Sequence, residues 1–116
     1  MNSLNSVTGI RQAVAPGMGA WEDAAGRLKA LAHPARLQIL SLLRDGEVCV
    51  CEMEAQLGYR QAYISQHLMA LREAGLVSVR RDGWRVFYRV LTPSVYALME
   101  LAAEMCAEEP VAARIA

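Results

Sequence analysis

From Trp21 the apolar residues recur at spacings of three and four: Trp21, Ala24, Ala25, Leu28, Leu31 and Ala32. That rhythm predicts an amphipathic helix. His33-Pro34 interrupts it, and Pro34 suits the first turn of a second helix. This second helix carries Leu37, Ile39, Leu40, Leu42 and Leu43 and stops at Asp45-Gly46, a C-terminal glycine signal. Residues 50–57 predict a short third helix closed by Gly58, and residues 61–73 a fourth with Ile64, Leu68 and Leu71 turned inward, ending at Gly75. The period then drops to two in Leu76-Val77-Ser78-Val79. Arg81-Asp82-Gly83 supplies a turn, and residues 86–91 return as a second strand. After Thr92-Pro93 a last amphipathic helix is predicted over about 94–108, with Val95, Leu98, Met99, Ala102 and Met105 on one side.

The predicted order is therefore four helices, a β-hairpin and a helix. A short helix and a longer one joined by a tight glycine turn make a helix-turn-helix. A hairpin directly behind makes it winged. The expected fold class is mainly α with a β-hairpin, a winged helix-turn-helix over residues 20–109. Residues 1–19, rich in Ser, Asn and Gly, read as a flexible arm, and residues 110–116 as a tail.

Composition narrows the function. The chain has 116 residues, of which 54% are hydrophobic: enough for one core and too apolar for a disordered protein. No apolar run reaches the ~18–20 residues of a membrane span, and the start lacks the basic-then-apolar order of a secretory signal. Three cysteines is an odd number, and Cys49 and Cys51 are too close for an unstrained bridge, so a reducing cytoplasm is the expected location. The formal net charge of 0 hides an asymmetry. Residues 55–90 hold six arginines against two acids, a net +4, while 1–54 carry −1 and 91–116 carry −3. Eleven of the twelve bases are arginine, the side chain suited to bidentate phosphate and guanine contacts. A neutral chain with one arginine-loaded third reads as a nucleic-acid binder.

Several stretches carry a resemblance. Leu28-Lys29-Ala30-Leu31-Ala32-His33-Pro34-Ala35-Arg36-Leu37-Gln38-Ile39-Leu40 resembles the opening helices of the ArsR/SmtB family of bacterial metal-sensing repressors. So do Leu57-Gly58, Ile64-Ser65-Gln66-His67-Leu68 and Leu71-Arg72-Glu73-Ala74-Gly75-Leu76-Val77, while Glu47-Val48-Cys49-Val50-Cys51-Glu52 looks like the thiol metal box of that family's arsenic and cadmium sensors. The resemblance covers about residues 21–105. It implies a homodimeric repressor, joined through its first and last helices, that leaves double-stranded operator DNA when a toxic thiophilic ion binds.

A recognition helix must bring polar side chains to base edges while burying its opposite stripe. Residues 61–73 fit, leaving Gln61, Tyr63, Ser65, Gln66 and His67 near the groove-entering end, with Arg60 beside them to neutralise a phosphate or read guanine. Arg80, Arg81 and Arg85 form the wing, where a guanidinium can follow phosphates or enter the minor groove. Trp84 is expected to pack or touch the backbone rather than intercalate. The family usually has Ser where Arg60 stands and a small polar residue where Tyr63 stands. The fourth helix is therefore expected to lack its N-cap, with a different operator preference.

Cys49 and Cys51 fall at the start of the third helix. Two residues apart on an α-helix, their side chains point about 200° away from each other. They can share one ion only if the first turn unwinds or the pair precedes the helix in extended chain. That conflict suggests a switch in which ligation deforms the scaffold under the recognition helix. Soft thiolates select trivalent arsenic or antimony, cadmium, lead or mercury over magnesium. Here too the chain departs from the resemblance: Glu54 stands where arsenic sensors often carry a third cysteine, and residues 1–48 contain none. Cys106 is left as either a third metal ligand or an inert interface thiol. The family's other metal site, on the last helix, has no counterpart, since that stretch offers Thr92, Ser94, Met105 and Glu108 but no histidine. His33 reads as structural, and His67 as near phosphate.

Two competing functions remain in view. The first is a redox or persulfide sensor of the same fold, using Cys106 with Cys49 or Cys51. The second is a thiol oxidoreductase, which would normally need Cys-x-x-Cys in a βαβ unit. No nucleophile–base–orienter set suggests an enzyme, no organic cofactor is expected, and a dimerising adaptor without DNA would leave the +4 segment unexplained.

Overall fold

The computed structural model describes residues 17–108. Of the arm expected at 1–19, residues 1–16 lie outside them, as does the tail at 110–116, while Met18 and Gly19 already belong to the first helix. The order is α1 (Met18–Leu31), α2 (Pro34–Leu42), β1 (Val48–Cys49), α3 (Val50–Leu57), α4 (Gln61–Glu73), β2 (Val77–Asp82), β3 (Arg85–Val90) and α5 (Val95–Ala107). α3 and α4 take the predicted bounds, and α1 starts slightly earlier than the periodicity suggests.

Local chemistry sets these boundaries. His33 is extended, and its Nδ1 accepts from the Ala35 N–H at 3.0 Å, capping α2 with Pro34 in the first turn. Its expected structural role at the helix junction is thus observed. α2 ends at Leu42, before the Gly46 stop, because the Leu43 N–H already closes the last turn on Ile39 and Leu40. Gly58, at φ +73°, ends α3 by donating its N–H to the Glu54 carbonyl at 2.9 Å. This left-handed step lets α4 leave in a new direction within three residues. α4 begins after an extended Arg60 with no side-chain cap, as its sequence implies.

The sheet differs from the prediction in two ways. It has three antiparallel strands in the order β1-β3-β2, with Val48 opposite Tyr88 and Cys49 opposite Phe87. A two-residue strand is too short to show alternation, so β1 left no signal. The β2–β3 ladder also runs farther than expected, pairing Arg80 with Phe87, Arg81 with Val86 and Asp82 with Arg85. Only Gly83-Trp84 forms the turn, with Gly83 at φ +63°. Arg81 and Asp82 are therefore strand residues rather than turn residues.

The core lies between α2, α3, α4 and the start of β2, where Ile39, Leu40, Met53, Ile64, Leu68, Leu71, Leu76 and Val77 are fully buried. Each such side chain contributes about 2–3 kcal/mol by leaving water. α1 adds only Leu31, and α5 only Val95, to the buried set. Tyr96 ties α5 down by donating its hydroxyl to the Leu40 carbonyl at 2.6 Å. Trp21 and Leu28 on α1, and Leu98, Leu101 and Met105 on α5, stay exposed.

Candidate nucleic-acid interface and thiol pair

Core packing decides which side of α4 faces outward. Ile64, Leu68 and Leu71 point inward, which leaves Gln61, Ser65 and Gln66 exposed with Arg60 just before them. Tyr63 is partly exposed. Its ring sits edge-on to Tyr59 at 4.9 Å and to His67 at 4.6 Å, so it is a propped rather than a free side chain.

His67 corrects the expectation of a phosphate contact: it is buried. Lying three residues after Ile64 and four before Leu71, it belongs to the inward stripe. Its Nδ1 accepts from Arg36 Nε at 3.1 Å, and Arg36 Nη1 also donates to the Ala30 carbonyl at 2.9 Å. The His33 ring lies 4.3 Å away. His67 thus locks α4 to the α1–α2 junction as a neutral imidazole. Burial pushes its pKa down, and His33 and Arg36 push the same way. Its Nε2 has no partner among the described residues.

Strand alternation sorts the wing arginines onto two faces. One face holds Arg80, Arg85 and Phe87, with Cys49 paired to Phe87 across the ladder. The Phe87 ring has Arg80 at 4.6 Å and Arg85 at 5.0 Å from its centroid. Arg80 is also bonded to Glu47, at 2.6 Å through Nη2 and 3.1 Å through Nε, and this contact holds the Glu47 carboxyl below its ordinary range. Arg80, expected among the DNA contacts, is therefore matched with an anion of its own chain. Arg81 is on the opposite face, toward α4, with no ion pair among the described residues. Trp84, at the tip, is 82% exposed, so it is not part of the core among the described residues, and of its two expected roles a backbone contact fits this position better than packing.

The thiol pair sits where this wing meets α3. Cys49 is extended (φ −76°, ψ 145°) and buried, and it is the N-cap residue of α3; Cys51 is exposed one residue inside the helix. Burial alone would push the Cys49 thiol up. The Cys51 thiol, the Arg85 guanidinium and the α3 amides of Cys51 and Glu52 together outweigh it, so Cys49 lies below its ordinary pKa. Cys51 is raised in turn, chiefly by its contact with Cys49. The pair straddles the helix start: Cys49 lies in extended chain just before α3 and Cys51 within its first turn, so the opposed directions expected of two residues inside one helix do not apply to them. Two thiols at one helix N-terminus fit part of a soft-ion site by their donor chemistry. Among the described residues no group of three Cys, His, Asp or Glu side chains is assembled, and Cys106 is exposed near the end of α5. Within one described chain the third ligand is not supplied.

Residues 33–79, from the α2 cap into β2, match the family described as bacterial regulatory protein, arsR family. A biofilm growth-associated repressor of Agrobacterium fabrum is 48% identical over 83 residues, 71% of this chain and 71% of that one. The chain belongs to the ArsR family. Its fold also matches HlyU from Vibrio cholerae, with a TM-score of 0.69 at 38% identity, covering 77% of this chain and 97% of that one. A homodimeric winged helix-turn-helix domain from Mycobacterium bovis matches with a TM-score of 0.67 at 36% identity, covering 78% and 84%.

The ArsR-family assignment makes this chain a transcriptional regulator of the winged helix-turn-helix type, in which α4 is the second helix of the helix-turn-helix. HlyU is described as an activator and the Agrobacterium relative as a repressor, so the shared fold does not set the sign of regulation. The geometry adds residues around the candidate site that the sequence reading did not single out. Phe87 joins the thiol pair to two wing arginines, Arg36 fixes α4 through His67, and Arg72 lies toward the wing.

Proposed function

We propose that this ArsR-family regulator is a homodimeric repressor that releases operator DNA when Cys49 and Cys51 take up a thiophilic ion, with trivalent arsenic or antimony foremost and cadmium, lead or mercury as further candidates. The observation supporting this is the placement of Cys49, buried at the N-cap of α3, two residues from the exposed Cys51 and paired across the ladder with Phe87, against which Arg85 stacks; the α3 amides and Arg85 hold its thiol below the ordinary pKa, toward the thiolate. Thiolate is the form that soft ions require. Cys49 and Cys51 would hold the ion, with the third position filled by solvent or by a second copy's Cys106.

Signalling then needs no unwinding of α3. A ligated Cys49 sulfur no longer serves as partner to the Arg85 guanidinium, and Cys49 is tied to Phe87 through the β1–β3 ladder. Both links act on the wing, so the hairpin changes position relative to α4. The exposed apolar faces of α1 and α5 supply the dimer contact in this reading.

The test is DNA binding followed by fluorescence anisotropy with and without arsenite. Cys49→Ser and Cys51→Ser retain DNA binding and lose arsenite release. A double serine variant that still dissociates at wild-type arsenite concentrations overturns the proposal. The same thiolate character supports a redox or persulfide reading. That reading requires release by peroxide or polysulfide in metal-free buffer, with a bridged or sulfur-linked product detected by mass spectrometry.

A further inference from the structure

Between α4 and the inner face of the wing lies a cleft of about 350 Å³. Gln61, Ser65, Met69 and Arg72 line it from the helix, and Arg81 and Tyr88 from the strands. The four helical residues are spaced four, four and three apart, so they form a single stripe along α4. Arg72 and Arg81 reach the cleft from opposite walls, and neither has an ion pair among the described residues. Three other arginines are matched within the chain, Arg80 with Glu47, Arg44 with Glu100, and Arg36 with His67 and the Ala30 carbonyl, whereas Arg72 and Arg81 are unmatched among the described residues and share one cleft. Asp82, next to Arg81 in sequence, is on the other face of the sheet, 4.0 Å from Arg80. Two unmatched cations converging on one cleft repel each other until an anion sits between them.

The architecture identifies that anion. A recognition helix occupies the major groove and a wing reaches the neighbouring minor groove. One sugar–phosphate strand separates the two grooves, so it has to pass between helix and wing. Resting on the assignment of this chain as a DNA-binding regulator, we infer that Arg72 and Arg81 clamp a single backbone phosphate in this cleft, with Met69 and Tyr88 against the adjoining deoxyribose. Arg72 is thereby a positioning contact that sets how deeply α4 sits, and it carries no base information.

The experiment uses the full chain and a short random-sequence duplex, with affinity measured across a salt series for wild type, Arg72→Gln, Arg81→Gln, the double variant and Arg72→Lys. Each phosphate contact contributes about 0.9 to the slope of log affinity against log salt. Because the clamp needs both arginines, each single glutamine variant loses the whole contact, about 1.8 of slope per dimer with one phosphate per protomer. The double variant then loses no more slope than that. Affinity falls on the order of tenfold or more at 0.1 M salt, by the same factor for any sequence, and Arg72→Lys restores most of the slope. Double-variant losses equal to the sum of the singles, or an unchanged slope in Arg72→Gln, overturn the clamp while leaving DNA binding intact. A wild-type chain that binds no duplex at low salt overturns the DNA-binding assignment and the clamp with it. Circular dichroism melts confirm that the variants are folded, and Arg72→Lys keeps the test decisive if Arg72→Gln is not.

Discussion

Replacing His67 separates its packing role from its titration. The ring is buried on α4 with one charged donor, Arg36 Nε at 3.1 Å, and one unpartnered nitrogen, Nε2. A hydrogen bond to a charged group is worth about 1.5–3 kcal/mol, and a buried unsatisfied polar group costs about 1–3 kcal/mol. His67→Leu removes both while keeping apolar volume, so the two terms nearly cancel. Its stability at about pH 7.5 should fall within ~1 kcal/mol of wild type, helped by the bond Arg36 keeps to the Ala30 carbonyl. His67→Ala removes the ring and leaves a void, at a cost of about 2–4 kcal/mol. The pH dependence has a definite sign. The folded imidazole takes up its proton below the ordinary value of 6.5, so the unfolded chain holds more protons just under that pH. Wild-type stability therefore drops as pH falls from 6.5 toward the folded value, by up to ~1.4 kcal/mol per pH unit. Glu47 acts in a lower window, since its stabilisation by Arg80 is present above 4.5 and is lost as pH falls below. Urea unfolding by circular dichroism, at fixed protein concentration between about pH 7.5 and 5, reads all three proteins. A leucine variant that keeps the wild-type slope would refute the assignment of this titration to His67.

Two further outcomes follow from the fold. Gly58→Ala forces a left-handed residue to carry a side chain; nothing lies within 4 Å of the added Cβ, so only the conformational cost of about 1–2 kcal/mol remains, read in the same unfolding assay. Leu101→Glu places a charge on the exposed apolar face of α5 and should shift sedimentation from dimer to monomer with DNA affinity falling in parallel; an unchanged sedimentation coefficient places the dimer contact elsewhere.

Much of the fold is legible in the sequence because the punctuation is strong. Pro34, Gly58 and Gly75 bound the helices, and the three-and-four spacing of Ile64, Leu68 and Leu71 marks the buried side of α4. What escaped is physically distinct. β1 is created by its partner β3, not by its own two residues. His67 was placed by its polarity on the DNA side, although its spacing from Ile64 and Leu71 already put it on the buried stripe. Ideal helix geometry sets the two thiols apart, but the chain places Cys49 one residue before the helix begins. Arg80 and Arg81 read as one basic cluster, yet alternation sends them to opposite faces with different partners.

The two-residue strand β1 makes the wing a lever with its fulcrum at the sulfur-bearing residue. From the Val48–Tyr88 pairing to the tip at Gly83 is five residues, or about 16 Å of strand. A tilt of only ~10° at that base carries the tip roughly 3 Å, farther than the range over which a hydrogen bond survives. Under the proposed switch, a small adjustment beside Cys49 would be magnified into a displacement of roughly 3 Å at the far end of the hairpin.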